Sequence, residues 1–374
     1  MEKVIYKASP EEAFFVPQSK NNSVKGPGVK RELGEHNSEA LVGLENIPRV
    51  EKSEQDSLSF QGLIASQEGE RKPFILANTT EVTLEHLQNE CIIPVFSKDN
   101  ELTIAHQQLI NSVMVCITRA FPLEKITAPE IRVSHQIKGR TPDALNLDVK
   151  ELRDHHKTLY YERLMFIGTI PSIKDNISGN ELSLTFGAVR SYNLENLYSK
   201  KSLERFKFFI GFQNKVCSNM CVWSDGFVSD LRVSSASELE NKIMKTISEY
   251  NAELHVMEMK ELTYDFLTEH QFAQLLGKSR LYQHLPKSER MKIPELSFND
   301  SHVNTMAKDY YEDQNFCRSS DGSINLWDVF NLFTQANKSS YIDTFLDRNL
   351  NAFEFSKGLQ KTLNGNSDYH WFLS

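Results

Sequence analysis

The chain has 374 residues, with 42 Lys+Arg against 50 Asp+Glu and a formal charge of −8. Charged residues at 25% and hydrophobic residues at 40% are ordinary for a soluble globular protein. They exclude a collagen-like chain, a coiled-coil rod and a wholly disordered chain, and the length predicts two or three domains that bury cores without disulfides or metals.

The opening MEKVIYKASPEEAFF reaches acidic residues before any apolar run, so no signal peptide is expected. Residues 17–72 are rich in Ser, Asn, Glu, Lys and Gly and keep no period, which predicts a mobile N-terminal arm over 1–72. The short apolar clusters Phe14-Phe15-Val16 and Leu58, Phe60, Leu63, Ile64 are the parts of this arm suited to dock on the body.

Order is expected from Pro73. Leu109, Ile110, Val113, Met114, Ile117, Ala120 and Phe121 fall on one helical stripe, which Pro122 stops. Residues 129–142, PEIRVSHQIKGRTP, alternate. Ile131, Val133, His135 and Ile137 are assigned to one side, and Arg132, Ser134, Gln136, Lys138 and Arg140 to the other. Residues 163–170, 181–189 and 206–213 are short, aromatic or β-branched, and read as strands; residues 216–233 read as a further pair with a turn at Ser224-Asp225-Gly226.

After Ser235 the period changes. Leu239, Ile243, Ile247, Tyr250, Leu254 and Met257 predict one long amphipathic helix. Thr268 with Gln271 predicts a capping box, and Gly277 a helix stop. Helices are expected over 301–313, 325–336 and 351–363, the last capped by Asn351. The fold class is therefore α+β: a mobile arm over 1–72, a mostly antiparallel sheet body over 73–235 and a helical part over 236–374.

Several chemistries are excluded by spacing. Gly277-Lys278-Ser279 lacks the first P-loop glycine, because Phe272 stands there, and it follows a helix where a P-loop follows a strand. Asp347-Arg348-Asn349-Leu350-Asn351 opens like an EF-hand loop but has Ala352 at position six and Gly358 at position twelve. Cys217 and Cys221 are four apart, and Cys91, Cys116 and Cys317 form no second pair, so no metal is expected. Five cysteines without an export signal suggest reduced thiols in the cytoplasm. No GxSxG, HExxH or GxGxxG occurs. His135, His155, His156, His255 and His270 are tied to no cysteine by a fixed pattern, and His135 reads as a core histidine. No catalytic residue and no cofactor is assigned. The densest apolar run, Val113–Ile117, is far too short for a membrane span, so no membrane partner is expected.

The charge is uneven. Residues 101–235 have 17 basic and 14 acidic side chains, while the segments on either side are acidic. The strand face with Arg132, Lys138 and Arg140 is the feature best suited to phosphate, with Tyr160, Tyr161, Tyr192 and Tyr198 in the same body to stack on bases. A solvated sheet face is the competing explanation.

Residues 129–144 (PEIRVSHQIKGRTPDA), 214–226 (NKVCSNMCVWSDG) and 325–338 (NLWDVFNLFTQANK) resemble an uncharacterised family of Bacteroides-type bacteria, often found on mobile elements. The last two also resemble the wider phage/plasmid-like family of unknown function. Its Cys-x-Asn-Gly step and Trp-x-x-x-Asn helix are matched by Cys217, Asn219, Trp327 and Asn331, with Met220 in place of the glycine. The resemblance spans roughly residues 73–363. It implies a mobile-element context and carries no activity, cofactor or catalytic residue.

Three functions are thus expected in order. The first is a non-enzymatic mobile-element accessory protein that binds nucleic acid, single-stranded by preference, through the central body. The second is a protein-interaction module using the C-terminal helices and the aromatic tail Tyr369-His370-Trp371-Phe372-Leu373. The third is an enzyme whose site is assembled from scattered residues.

Overall fold

A computed structural model describes residues 14–16, 73–95, 103–192, 203–215, 217–365 and 368–374. The expectation of a mobile arm over 1–72 falls, apart from 14–16, outside the described residues. Those three form β1 (Phe14–Val16), which is paired antiparallel with residues 93–95.

From residue 73 the elements run β2 (Thr80–Val82), α1 (Leu84–Asn89), β3 (Ile93–Val95), α2 (His106–Ala120), β4 (Glu130–Arg140), β5 (Lys157–Ile177), β6 (Asn180–Ser191), β7 (Glu204–Asn214), β8 (Met220–Cys221) and β9 (Phe227–Val233). Then follow α3 (Ala236–Glu249), α4 (Ala252–Glu261), β10 (Phe266–Leu267), α5 (Glu269–Tyr282), α6 (Lys287–Arg290), α7 (Asp300–Glu312), β11 (Ile324–Asn325), α8 (Leu326–Asn337), α9 (Ile342–Leu363) and α10 (His370–Leu373). The fold is α+β. The main sheet has the order β2-β4-β5-β6-β7-β8, with β9 also on β7, and every pairing in it is antiparallel.

The sheet buries both faces. On one, Ile131, Val133, Leu164, Phe166, Phe186, Phe206 and Phe208 meet the apolar stripes of α2 and α3, and this core continues into α5, α8 and α9. On the other, Met165, Ile167, Val189, Phe209 and Val222 receive Phe74, Ile75 and the first turns of α9 through Ile342, Phe345 and Leu346. The 21-residue β5 pairs with β4 over 157–167 and with β6 over 163–177, the β6 ladder shifting register between Ile170 and Lys174.

Three helix boundaries differ from expectation. The long helix over 239–257 is two helices, because Tyr250 is extended at ψ 127° and the Asn251 side chain caps α4 by accepting from Leu254 N. Gly277 does not stop α5, which continues to Tyr282, a buried residue packed on α10. Asn351 is no cap. It lies inside α9, where its side chain accepts from Ser297 N and donates to Glu295 O, so it ties down the preceding loop.

Two helix–loop–helix units, α4–α5 and α7–α8, are joined through their loops by the short β10–β11 ladder, with Leu267 opposite Ile324. Thr268 caps α5 through the expected box with Gln271, and Asn325 caps α8 by accepting from Asp328 N.

Candidate polyanion interface

Beyond the core, β4 and the start of β5 continue as a hairpin. Its register is continuous, from Glu130 opposite Ile167 to Arg140 opposite Lys157. Cross-strand partners share a face, so the pairing places each cation. Arg132 is opposite Met165, a member of the second core, whereas Lys138 is opposite Leu159, which packs against the first. Between them lies His135, which has φ +57° and is left out of the ladder between the Ser134–Arg163 and Gln136–Tyr161 pairs.

Histidine is among the side chains that tolerate this left-handed region. His135 is exposed there, its Nδ1 3.1 Å from Ser134 Oγ, and is not the core residue expected from period. The two-residue period holds only for continuous extended backbone. Lys138 and Arg140 lie two residues apart at the far end of the hairpin, whereas Arg132 lies near the other end of β4. Arg132 is also engaged locally, donating to Glu81 at 2.8 Å and Glu130 at 3.4 Å.

Lys157 joins Lys138 and Arg140. It directly faces Arg140, and like charges at paired positions repel. Each turns away to a different acceptor: Arg140 donates to the Leu147 carbonyl at 2.7 Å, and Lys157 to Asp154 at 2.8 Å. The Lys157 bond holds the Asp154 carboxyl below its usual range. Among the described residues neither Lys138 nor Arg140 has an ion pair. The loop between the strands carries Asp143, Asp148, Glu151 and Asp154 against Lys150 and Arg153, so the positive charge is concentrated at the strand ends. Period could not have revealed Lys157, because it precedes the apolar run that marks β5. Pairing it with Arg140 requires the register.

The tyrosines are not a stacking surface. Tyr160, Tyr161 and Tyr192 are 9%, 7% and 4% exposed, and Tyr161 is fixed by His86 Nε2 at 3.0 Å from its hydroxyl. Tyr198 lies outside the described residues. What the hairpin end presents is cationic and not aromatic, an arrangement that contacts phosphates without reading bases.

Other constellations resolve differently. Asn219 and Asn331, two of the four residues that carry the sequence resemblance, meet in the core. Asn219 Nδ2 donates to the Asn331 side-chain oxygen at 3.1 Å and to its carbonyl at 3.2 Å, and Asn331 donates to Trp327 O at 2.9 Å. Buried Lys338 donates to the Cys217 carbonyl, joining the β7–β8 turn to α8. Burial pushes the Cys217 thiol up to about 11, and that of Cys221 well above the ordinary thiol range. A thiol held protonated is a poor nucleophile at neutral pH. His255 is buried in a cage of Trp223, Phe212 and Phe353 with Nδ1 2.9 Å from Tyr250 Oη, and burial holds its imidazole down to about 3.

Residues 347–351, excluded as an EF-hand loop by their spacing, lie inside α9, whereas the α7–α8 loop has an EF-hand outline. From Cys317 to Asp328 there are twelve positions, with Gly322 at the sixth at φ +83° and Ile324 in the bridge. Cys317 occupies the position of the leading acid. Among the described residues no group of three His, Cys, Asp or Glu is arranged to hold a metal. Asp328, at the twelfth position, accepts instead from Asn325 Nδ2 at 2.6 Å; burial, with Asp313 nearby, pushes its carboxyl up to about 7. No helix among the described residues is long and apolar enough to cross a membrane.

A family model described as "Domain of unknown function, B. Theta Gene description (DUF3871)" matches residues 63–373. No curated protein and no solved structure matches the chain.

Proposed function

The chain belongs to that family of unknown function, and we propose from the placement of its cations that it acts by binding nucleic acid through the cationic end of the β4–β5 hairpin. The observation that carries the reading is the placement of Arg140 directly opposite Lys157, with Lys138 two residues away on the same face. A phosphate between the two strands relieves a repulsion that the protein itself satisfies only with a carbonyl and an exposed carboxylate. The contacts are to phosphate, so sequence preference is weak and a single strand is the preferred ligand, its backbone free to follow the hairpin.

The likeness of residues 214–226 and 325–338 to the phage/plasmid-like family supports an accessory role on a mobile element. Cysteines that are free and, apart from Cys317, buried support a cytoplasmic setting.

The test is an anisotropy titration of labelled single- and double-stranded oligonucleotides across salt. Wild type is compared with a triple variant carrying Lys138→Ala, Arg140→Ala and Lys157→Ala. The triple variant should lower the slope of log affinity against log salt by about 2 to 3, at roughly 0.7–0.9 for each phosphate that is no longer neutralised. Arg132→Ala, which removes a guanidinium already engaged by Glu81 and Glu130, should leave the slope unchanged. Equal and negligible binding by wild type and triple variant at low salt overturns the reading.

A further inference from the structure

The C-terminal aromatic segment is occupied within its own chain: Phe372 is buried, its ring centroid 4.7 Å from Phe355 and 5.8 Å from Tyr282. Two unsatisfied polar groups lie instead on the sheet, beside the second core. Arg163 on β5 is directly opposite Ser191 on β6. Ser191 is 5% exposed, and its Oγ has no hydrogen-bond partner. The buried Nε of Arg163 has none either, and lies 4.0 Å from the Glu162 carboxylate. Buried polar groups are as a rule hydrogen-bonded, and leaving one unmade is costly. Both of these groups can donate, and what they lack is an acceptor. The surroundings are cationic. Ser191 lines a cavity together with Arg205 and Lys207 of β7 and Ser229 of β9. This cavity sits at a bulge: Phe206 is opposite Leu231 and Phe208 opposite Val228, so Ser229 and Asp230 together face the single Lys207. A bulge leaves its extra residue outside the ladder and re-aims side chains, and bulges recur beside functional sites. Each cation is anchored. Arg163 donates to Asp343 at 3.3 Å, Lys207 to Asp347, and Arg205 to Asp230 at 2.7 Å. Asp230 is shared, since Arg232 Nε also donates to it at 2.9 Å. The carboxylates hold the cations in place around the cavity without satisfying Ser191.

We infer that the cavity over the β7–β9 bulge binds a phosphate group, with Ser191 Oγ, Arg205 and Lys207 donating to its oxygens and Arg163 adding positive charge from the β5 side. A phosphate oxygen is the acceptor that the unsatisfied donors lack, and hydrogen bonds from cations to phosphate are of the strong, charge-assisted kind. The site is separate from the hairpin end and does not rest on the reading of it. Arg140 and Lys157 lie at the far end of the β4–β5 ladder, and β6 joins β5 only at Arg163. The same chemistry serves inorganic phosphate and the terminal phosphate of a nucleic acid, and the experiment separates the two.

Inorganic phosphate is titrated calorimetrically into the full-length protein as wild type, Ser191→Ala, Arg205→Gln and the hairpin triple variant. Wild type and the triple variant should bind phosphate with equal affinity. Ser191→Ala and Arg205→Gln should each weaken that binding by about tenfold, the loss of one hydrogen bond to a charged group. Absence of saturable binding by wild type at millimolar phosphate overturns the inference. So does unchanged affinity in both single variants, or loss of binding in the triple variant, which would place the phosphate at the hairpin. If Ser191→Ala fails to fold by circular dichroism, Arg205→Gln decides, because that side chain is 39% exposed and its loss leaves Asp230 with Arg232. Oligonucleotides with and without a terminal phosphate then compete with bound inorganic phosphate. Displacement only by the phosphorylated end supports the inference with a nucleic-acid terminus as the source; displacement by neither supports it with free phosphate as the source.

Discussion

Asn219 and Asn331 are 112 residues apart in sequence and joined by a buried amide bridge, Nδ2 to Oδ1 at 3.1 Å. The bridge fastens the turn before β8 to the middle of α8, the sheet to the helical part. Asn219→Ala leaves two Asn331 oxygens with one donor fewer in a buried site. The expected cost is about 1–3 kcal/mol, read as a lower urea midpoint at unchanged slope. A cycle with Asn331→Ala should show coupling, because the two side chains share the interaction.

Asp328 is expected to make stability depend on pH near neutrality. Its folded carboxyl is pushed from 3.8 to about 7, so between those values the folded state holds a proton that the unfolded chain has released. Stability from this group therefore falls as pH rises from about 4 to 7 and stays low above. Asp328→Asn keeps the acceptor for Asn325 and removes the charge. It should stabilise the protein at pH 8 by about 1–4 kcal/mol, with little change at pH 4. Denaturation midpoints of both proteins at the two pH values check this.

The buried histidines act in the opposite sense. Burial is the leading cause that holds His106 and His255 to about 3 from an ordinary 6.5. The unfolded chain takes up these protons first, so stability is lost as pH falls from about 6.5 toward 3. His255→Phe retains a ring in the cage and removes one such group. Below pH 6 the stability of wild type minus that of the variant should decline by up to about 1.4 kcal/mol per pH unit. A flat difference would show that His255 does not titrate with folding.

His135 bears a left-handed strain of its own. His135→Gly should be neutral or stabilising by up to about 1 kcal/mol, and His135→Val should destabilise by more than that, because a β-branched residue tolerates positive φ poorly. If the left-handed turn sets the faces, His135→Val should also weaken any oligonucleotide binding more than His135→Gly does.

The strands of the body are legible in the sequence because burial on a sheet imposes a two-residue period, as at Ile131 and Val133, and the capping box of Thr268 and Gln271 is legible because its bonds are local. The left-handed backbone at His135 is not, since one positive φ leaves no trace in a hydrophobic pattern. Nor is the break at Tyr250-Asn251, where both helices bury residues that continue a single apparent stripe. The stacking role expected of Tyr160, Tyr161 and Tyr192 fails for a related reason. A tyrosine's hydroxyl suits a buried hydrogen bond as well as a wet surface, and sequence alone does not separate the two. Lys157 belongs with Arg140 only once a long-range register exists.

The consecutive order β4-β5-β6-β7 in the sheet has a kinetic meaning. Each of these strands pairs with the next one in the chain, so this part can assemble by successive hairpin closures, each at a small cost in loop entropy. By contrast, β2 must find β4 across α2, and α9 must reach back from beyond residue 340 to cover Met165 and Phe209. Closing the second core is the step with the greatest sequence separation, and such contacts slow folding. During synthesis the meander would emerge with one apolar face uncovered until α9 arrives, which makes the interval between residues 233 and 346 the period of greatest exposure to aggregation.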